Sequence, residues 1–137
     1  MIRKIYRDNN FLSLPSTNAT RDDIVYGRDL LDTLMDNASS CVGMAANMIG
    51  VNKAIIAFID ENKYVVMYNP RIIRYYGKKY SVYEGCLSHE GKKNVERYEK
   101  IQVQFQNEDF KVLVKTYSGF TAEIIQHEID HLFGKLI

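Results

Sequence analysis

Hydrophobic and polar positions change their rhythm along the chain. Between Thr20 and Ala38 the stretch TRDDIVYGRDLLDTLMDNA sets Ile24, Leu31, Leu34, Met35 and Ala38 along one side at helical spacing, which predicts a surface helix with its apolar stripe turned inward. Thr20 or Asp22 can cap its start, with acidic residues in the first turn. The middle of the chain is different: KAIIAFID, KYVVMYNP, RIIRYYGKKYSVYE, ERYEKIQVQFQ and FKVLVKTYS are rich in β-branched and aromatic residues. Ile101, Val103 and Phe105 alternate with Gln102, Gln104 and Gln106, a period of two that predicts half-buried antiparallel strands. QNEDF reads as a hairpin turn. Most of the ten tyrosines fall in or near these segments, where packing against neighbouring strands accounts for them.

After Ser118 and Gly119 the helical period returns. With His127 at the origin of a helical wheel, His131 lies near about 40°, Ile124 near about 60° and Glu128 near about 100°. Ile125, Ile129 and Leu132 occupy the opposite side, while Glu123, Gln126 and Asp130 fill the remaining sector. Such a helix is buried on more than one side.

Composition narrows the class without identifying it. The 137 residues suit one domain with a real core, and 46% apolar with 26% charged residues is ordinary globular composition. A formal net charge of +1 gives no reason to expect nucleic acid or an anionic membrane as partner. Lys78/Lys79 and Lys92/Lys93 are expected to be solvated loop or turn charges. Cys41 and Cys86 are too few for a disulfide framework, and neither a signal peptide nor a long apolar span is evident, so a soluble cytoplasmic protein is expected. A monomer is the default in the absence of an evident apolar patch.

The chemistry is concentrated near the C-terminus, in QHEIDHLFGKLI. His127 and His131 are four residues apart and project from one helix face, so they can grip a single metal ion, with Glu128 beside them in an H-E-x-x-H pattern. The same string also occurs by chance with ordinary histidines, and a catalytic site needs a third protein ligand and an open position for water. The usual metalloproteases take that ligand from downstream. Six residues follow His131 and none is His, Glu, Asp or Cys. A third ligand therefore has to come from upstream, where EGCLSHEG offers Cys86, His89 and two glutamates; Cys86 is the leading candidate and His89 the runner-up.

EGCLS (Glu84 to Ser88) and QHEIDHL (Gln126 to Leu132), in that order and with strands between them, resemble the motifs of the peptide deformylase family, and the resemblance covers nearly the whole chain. It implies an α+β fold in which antiparallel β-sheets pack around a central C-terminal metal-binding helix, with an N-terminal surface helix and residues 1–137 as a single domain. It also implies that Cys86, His127 and His131 bind one divalent metal, Fe(II) in most of the family, with Zn(II), Ni(II) or Co(II) as alternatives. Glu128 would be the general acid/base, and the Leu87 amide would help hold the formyl oxygen. The implied substrates are N-formylmethionyl peptides, on nascent chains at the ribosome, lying along Gly43 as an added strand. Their first side chain would enter a pocket built from Val42, Phe120 and Ile124, with Glu123 at its mouth or on the solvated sector. Arg97 is expected to pair with Asp130 and brace the metal helix.

The remaining family motif, G-φ-G-φ-A-A-x-Q, is altered. CVGMAANM places Cys41 at the first glycine and Met48 at the glutamine whose side chain donates to the formyl oxygen. Methionine cannot donate, and the adjacent Asn47 is expected to aim elsewhere. Three readings follow: a deformylase; a deformylase-like paralogue with weak activity or a different N-acyl substrate; and a metal-stabilised binding module. A general base at Glu128 has no use in the third.

Overall fold

The structure, a computed structural model, describes the backbone of residues 1–137 and every side chain except that of His89. A short helix α1 (Asn9–Leu12) and a 3-10 turn (Arg21–Asp23) lead into helix α2 (Ile24–Asp36). Strand β1 (Gly43–Ala45) runs directly into a second 3-10 turn (Ala46–Ile49). Strands β2 (Ile55–Asp60), β3 (Lys63–Cys86), β4 (His89–Gln106) and β5 (Val112–Ser118) follow, and helix α3 (Gly119–Leu132) comes last. The five strands form one antiparallel sheet in sequence order, so each pairs with its chain neighbour and β1 lies at an edge.

Two layers of helix enclose that sheet. Ile56 and Phe58 on one face of β2 join Met67, Ile101, Val103 and the α3 residues Ala122, Ile125 and Ile129 in one core. Ile55 and Ala57 on the other face pack with Leu30 and Leu34 of α2, Met44, Met48 and Tyr68 in a second. The strand alternates as any strand does, but both of its faces are covered, which is why IIAF reads as a continuous apolar run.

β3 and β4 are 24 and 18 residues long, and a flat pair of that length could not wrap a helix. The register shifts after Tyr68 and after Tyr76, next to Pro70 and Gly77. Pro70 has no N–H to give the ladder, and Gly77 adopts φ +75°. Bulges bend and twist the strands that carry them. The pair then continues as a hairpin to the two-residue turn Leu87–Ser88, which places Cys86 opposite His89.

Several expectations need correction. KYVVMYNP and RIIRYYGKKYSVYE are one strand, whereas the expected α+β class, antiparallel strands packed around the C-terminal helix with an N-terminal helix, is the one observed, its strands joined in one connected sheet. Lys78, Lys79, Lys92 and Lys93 are solvated, but they lie in β3 and β4. The inward face of α2 is Gly27, Asp29, Leu30, Thr33 and Leu34, whereas Met35 is 51% exposed and Ala38 lies beyond the helix, also exposed. Polar residues reach that buried face because they are satisfied there: the Thr33 hydroxyl donates to the Asp29 carbonyl at 2.8 Å, and the Asp29 carboxylate accepts from Arg3 Nε at 2.8 Å.

The two sides of α2 should respond differently to truncation. Leu30→Ala is expected to lower the unfolding free energy by about 2–5 kcal/mol, and Met35→Ala to change it by less than about 0.5 kcal/mol, both read from urea denaturation. Equal losses would restore the face predicted from hydropathy.

Candidate metal centre

Helix α3 can present histidines at the core because its other polar groups are tied down. β4 runs past the end of β5, whose last pair is Lys100 with Ser118, so the main chain at Tyr98 lacks a β5 partner. The Gln126 side chain supplies one: it accepts from the Tyr98 N–H at 2.9 Å and donates to the Tyr98 carbonyl at 2.9 Å. One residue further on, His127 points into the space under the β3–β4 hairpin, and His131 lies one turn beyond it. Cys86 and Glu84 reach that space from β3, two residues apart and on the same face of the strand.

The sulfur of Cys86 and the ring nitrogens of His127 and His131 lie within 4.8 Å of one another. Nε2 of His131 is 3.1 Å from Nε2 of His127 and 3.4 Å from Cys86 Sγ. Tetrahedral coordination with metal–nitrogen bonds of about 2.0–2.1 Å and metal–sulfur bonds of about 2.3 Å would set those separations at about 3.3 and about 3.6 Å. Two of the three separations therefore lie within a few tenths of an ångström of those around a single ion, and the third is within 4.8 Å, so the donor set suits one ion. Groups around the ligands fit it as well. His127 Nδ1–H donates to Glu84 Oε1 at 2.7 Å, which leaves Nε2 as the free lone pair. The Ser88 amide donates to Cys86 Sγ at 3.5 Å.

Glu84 is held in turn by Arg97. The guanidinium, 4% exposed, donates to Glu84 from Nε and from Nη2 (2.7 Å to Oε1), and from Nη1 to Asp130 Oδ2 at 2.6 Å. The expected Arg97–Asp130 pair is thus half of the arrangement. Burial by itself would raise the pKa of Glu84, but the hydrogen bonds from His127 and Arg97 carry it down to about 2. Burial disfavours the imidazolium of His127, yet the Glu128 charge and hydrogen bonds with Cys86 and Glu84 raise its pKa to about 10. Surroundings this negative call for a cation. A proton on His127 would meet that demand, and so would a metal ion held in its place.

Glu128 is 4% exposed, and its Oε1 has no hydrogen-bond partner among the described residues. Burial lifts its pKa to about 7, with the His127 charge pulling the other way. Gly43 makes room for it: a Cβ there would lie 2.9 Å from Glu128 Oε2 and 2.7 Å from Ile124 Cγ2. These groups line a cavity of about 560 Å³ together with Val42, Leu87, Phe120, Ile124, Met48 and Cys41. Of the residues expected at the site, Cys86, His127, Glu128, Leu87, Gly43, Val42, Phe120 and Ile124 line this cavity, and His131 packs against His127 and Cys86. Val42 and Phe120 are largely exposed at its rim, while Ile124 is buried. His89 lies outside the described side chains.

The altered motif is visible too. Met48 is buried, and its sulfur accepts from the Ala45 N–H at 3.5 Å. Asn47 Nδ2 donates to the His131 carbonyl at 2.9 Å, so this amide is engaged away from the cavity. Burial, reinforced by the Glu128 charge, pushes the Cys41 thiol to about 12, and it donates to the Gly43 carbonyl at 2.9 Å. The sequence offered Glu84 only as one of two upstream glutamates that could supply a ligand, and it offered no role for Gln126. The need of a ligating histidine for a carboxylate behind it, and the i, i+2 relation of Glu84 to Cys86, were the available signals for Glu84.

Two histidines, one cysteine and a buried carboxyl beside an open cavity are the donor set and the acid/base group of the kind that a metal-dependent hydrolase uses. The chain belongs to the peptide deformylase family: the family described as polypeptide deformylase matches residues 4–137. It is 45% identical to the peptide deformylase of Clostridium beijerinckii over the full length of both chains. The crystal structure of a probable peptide deformylase from a Synechococcus phage superposes with a TM-score of 0.84 at 32% identity, covering 98% of this chain and 96% of that one. A class I type b peptide deformylase from Acinetobacter baumannii, crystallised with Met-Ala-Ser bound, superposes at 0.90 with 25% identity, covering 99% and 97%.

Metal binding should depend on pH in a defined direction. His127 must lose its proton to become a ligand, so affinity should rise with pH, about tenfold per unit for that proton, and this contribution should level off near pH 10. Calorimetric titration with Zn(II) in buffers of different ionisation enthalpy checks it. Affinity independent of pH between 6 and 9, with no proton release, would show that no proton on His127 competes with the metal in that range. Independently, Arg97→Met strands the Glu84 carboxylate in the interior and should lower stability by about 3–5 kcal/mol.

Proposed function

We propose that this chain removes the formyl group from N-formylmethionyl peptides, with Cys86, His127 and His131 holding one divalent metal and Glu128 carrying the proton. The observation that carries the reading is Glu128: a buried carboxyl with an open oxygen and a pKa near neutrality, beside three ligand atoms. When bound, the metal makes water acidic enough to yield a nucleophile near neutral pH and polarises the formyl carbonyl. Glu128 takes up the water proton and passes it to the departing amine, tasks that suit a carboxyl poised near the working pH. The Leu87 amide holds the formyl oxygen. Gly43, on the edge strand β1, offers its main chain to the peptide as an added strand. The peptide's first side chain lies against Val42, Phe120 and Ile124. The peptide carried by the Acinetobacter relative is what such a reaction would leave behind after formyl-Met-Ala-Ser is cleaved.

Two imidazoles and a thiolate suit Fe(II), which we assign as the native metal; Zn(II), Ni(II) and Co(II) suit the same donors. Residues 1–137 act as a single domain and as a monomer in the cytoplasm, on nascent chains emerging from the ribosome. No helix among the described residues is long and apolar enough to cross a membrane.

Formate release from formyl-Met-Ala-Ser, by protein purified without oxygen and loaded with Fe(II), tests the proposal, and Glu128→Ala should abolish it while leaving one metal bound. Formate release that survives Glu128→Ala would remove the proposed proton carrier. Met48→Gln should raise kcat by about 10²–10³ if the missing side-chain donor limits the reaction; an unchanged rate would show that the Leu87 amide suffices.

A further inference from the structure

One polar group in the cavity is left unused by the hydrolytic mechanism. Glu123, one helical turn before His127, lines the cavity next to Phe120 and Ile124. The Tyr80 hydroxyl, reaching across from β3, donates to Glu123 Oε1 at 3.0 Å and fixes the carboxyl in place. No ion pair forms at Glu123 among the described residues, because Arg97 is engaged by Glu84 and Asp130. Glu84 lies close to Glu123, so that end of the cavity holds two carboxyl groups behind apolar walls. Lys92 also lines the cavity and is solvated.

A thioether entering such a pocket removes water from a carboxyl and gives it nothing in exchange, whereas a side chain ending in an ammonium replaces that water with a charge-assisted hydrogen bond. We infer that Glu123, held by Tyr80, determines specificity in the first-side-chain pocket and extends the substrate range to N-formyl peptides whose first residue is basic, with lysine as the probe. The inference rests on the deformylase reading of the same cavity. Glu123 touches the substrate side chain and takes no part in the proton transfers.

The experiment compares kcat/KM for formyl-Met-Ala-Ser and formyl-Lys-Ala-Ser on metal-loaded wild-type protein, Glu123→Gln and Glu123→Ile. The lysine-to-methionine ratio should fall at least about tenfold in Glu123→Ile, through KM, with a smaller fall in Glu123→Gln, which keeps the shape and removes the charge. An unchanged ratio in both variants would overturn the assignment. Binding of Met-Ala-Ser and Lys-Ala-Ser, followed by calorimetry, separates this inference from the reaction itself. If no variant releases formate, a preference for Lys-Ala-Ser that disappears in Glu123→Ile still supports the pocket assignment, and equal binding by wild type and Glu123→Ile overturns it.

Discussion

Arg97 is a cation buried at a junction of β3, β4 and α3, and the geometry of the candidate metal centre depends on what it holds. Its guanidinium fork joins Glu84 on β3 to Asp130 on α3. Glu84 then fixes the ring of His127 through Nδ1. Withdrawing such charges from water is expensive unless each is paired and hydrogen-bonded. The arrangement is therefore all-or-none, since loss of one member leaves another charged and buried. In return, a strand and a helix far apart in sequence are held in one relative position. Cys86 follows Glu84 by two residues and His131 follows His127 by four, so the same bonds that orient Glu84 and His127 also place the other two ligand atoms.

The rest of the fold serves that junction. A helix that carries two histidines and a glutamate into a core needs apolar contact on its other sides. The bent β3–β4 pair provides it, with Ile101, Val103 and Phe105 against Ala122, Ile125 and Ile129. β2, covered on both faces, ties this core to the second one beneath α2. β1 is short and at the sheet edge, which puts Gly43 against Glu128 and leaves a main-chain edge beside the cavity. The cavity thus lies where a sheet edge, a hairpin turn and a helix face meet, and each brings one kind of chemistry.

The local parts of this design were legible in the sequence. The helical spacing of His127 and His131 and the alternation in IQVQFQ are found in the structure because each follows from the period of one element, and the fold brings Cys86 of β3 within 4.8 Å of both histidines. What failed was non-local. The buried face of α2 includes Thr33 and Asp29, polar residues satisfied by the Asp29 carbonyl and by Arg3, so hydropathy assigned the face to Met35 and Ala38 instead. Three-residue β1 is too short for any period to register. The Leu87–Ser88 turn has no glycine or asparagine to announce it. Glu84 and Gln126 carry no signal of their own until the groups they bond to, His127 and the Tyr98 main chain, are known.

The claim on which the function rests is that Cys86, His127 and His131 hold one metal ion. X-ray absorption at the metal edge tests it most directly, on protein loaded with Fe(II) or Zn(II) under argon. One ion per chain is expected, with one sulfur and two imidazole nitrogens as protein neighbours, and Cys86→Ser should lose the sulfur shell. A spectrum without sulfur in the unaltered protein, or one unchanged by Cys86→Ser, would contradict that claim.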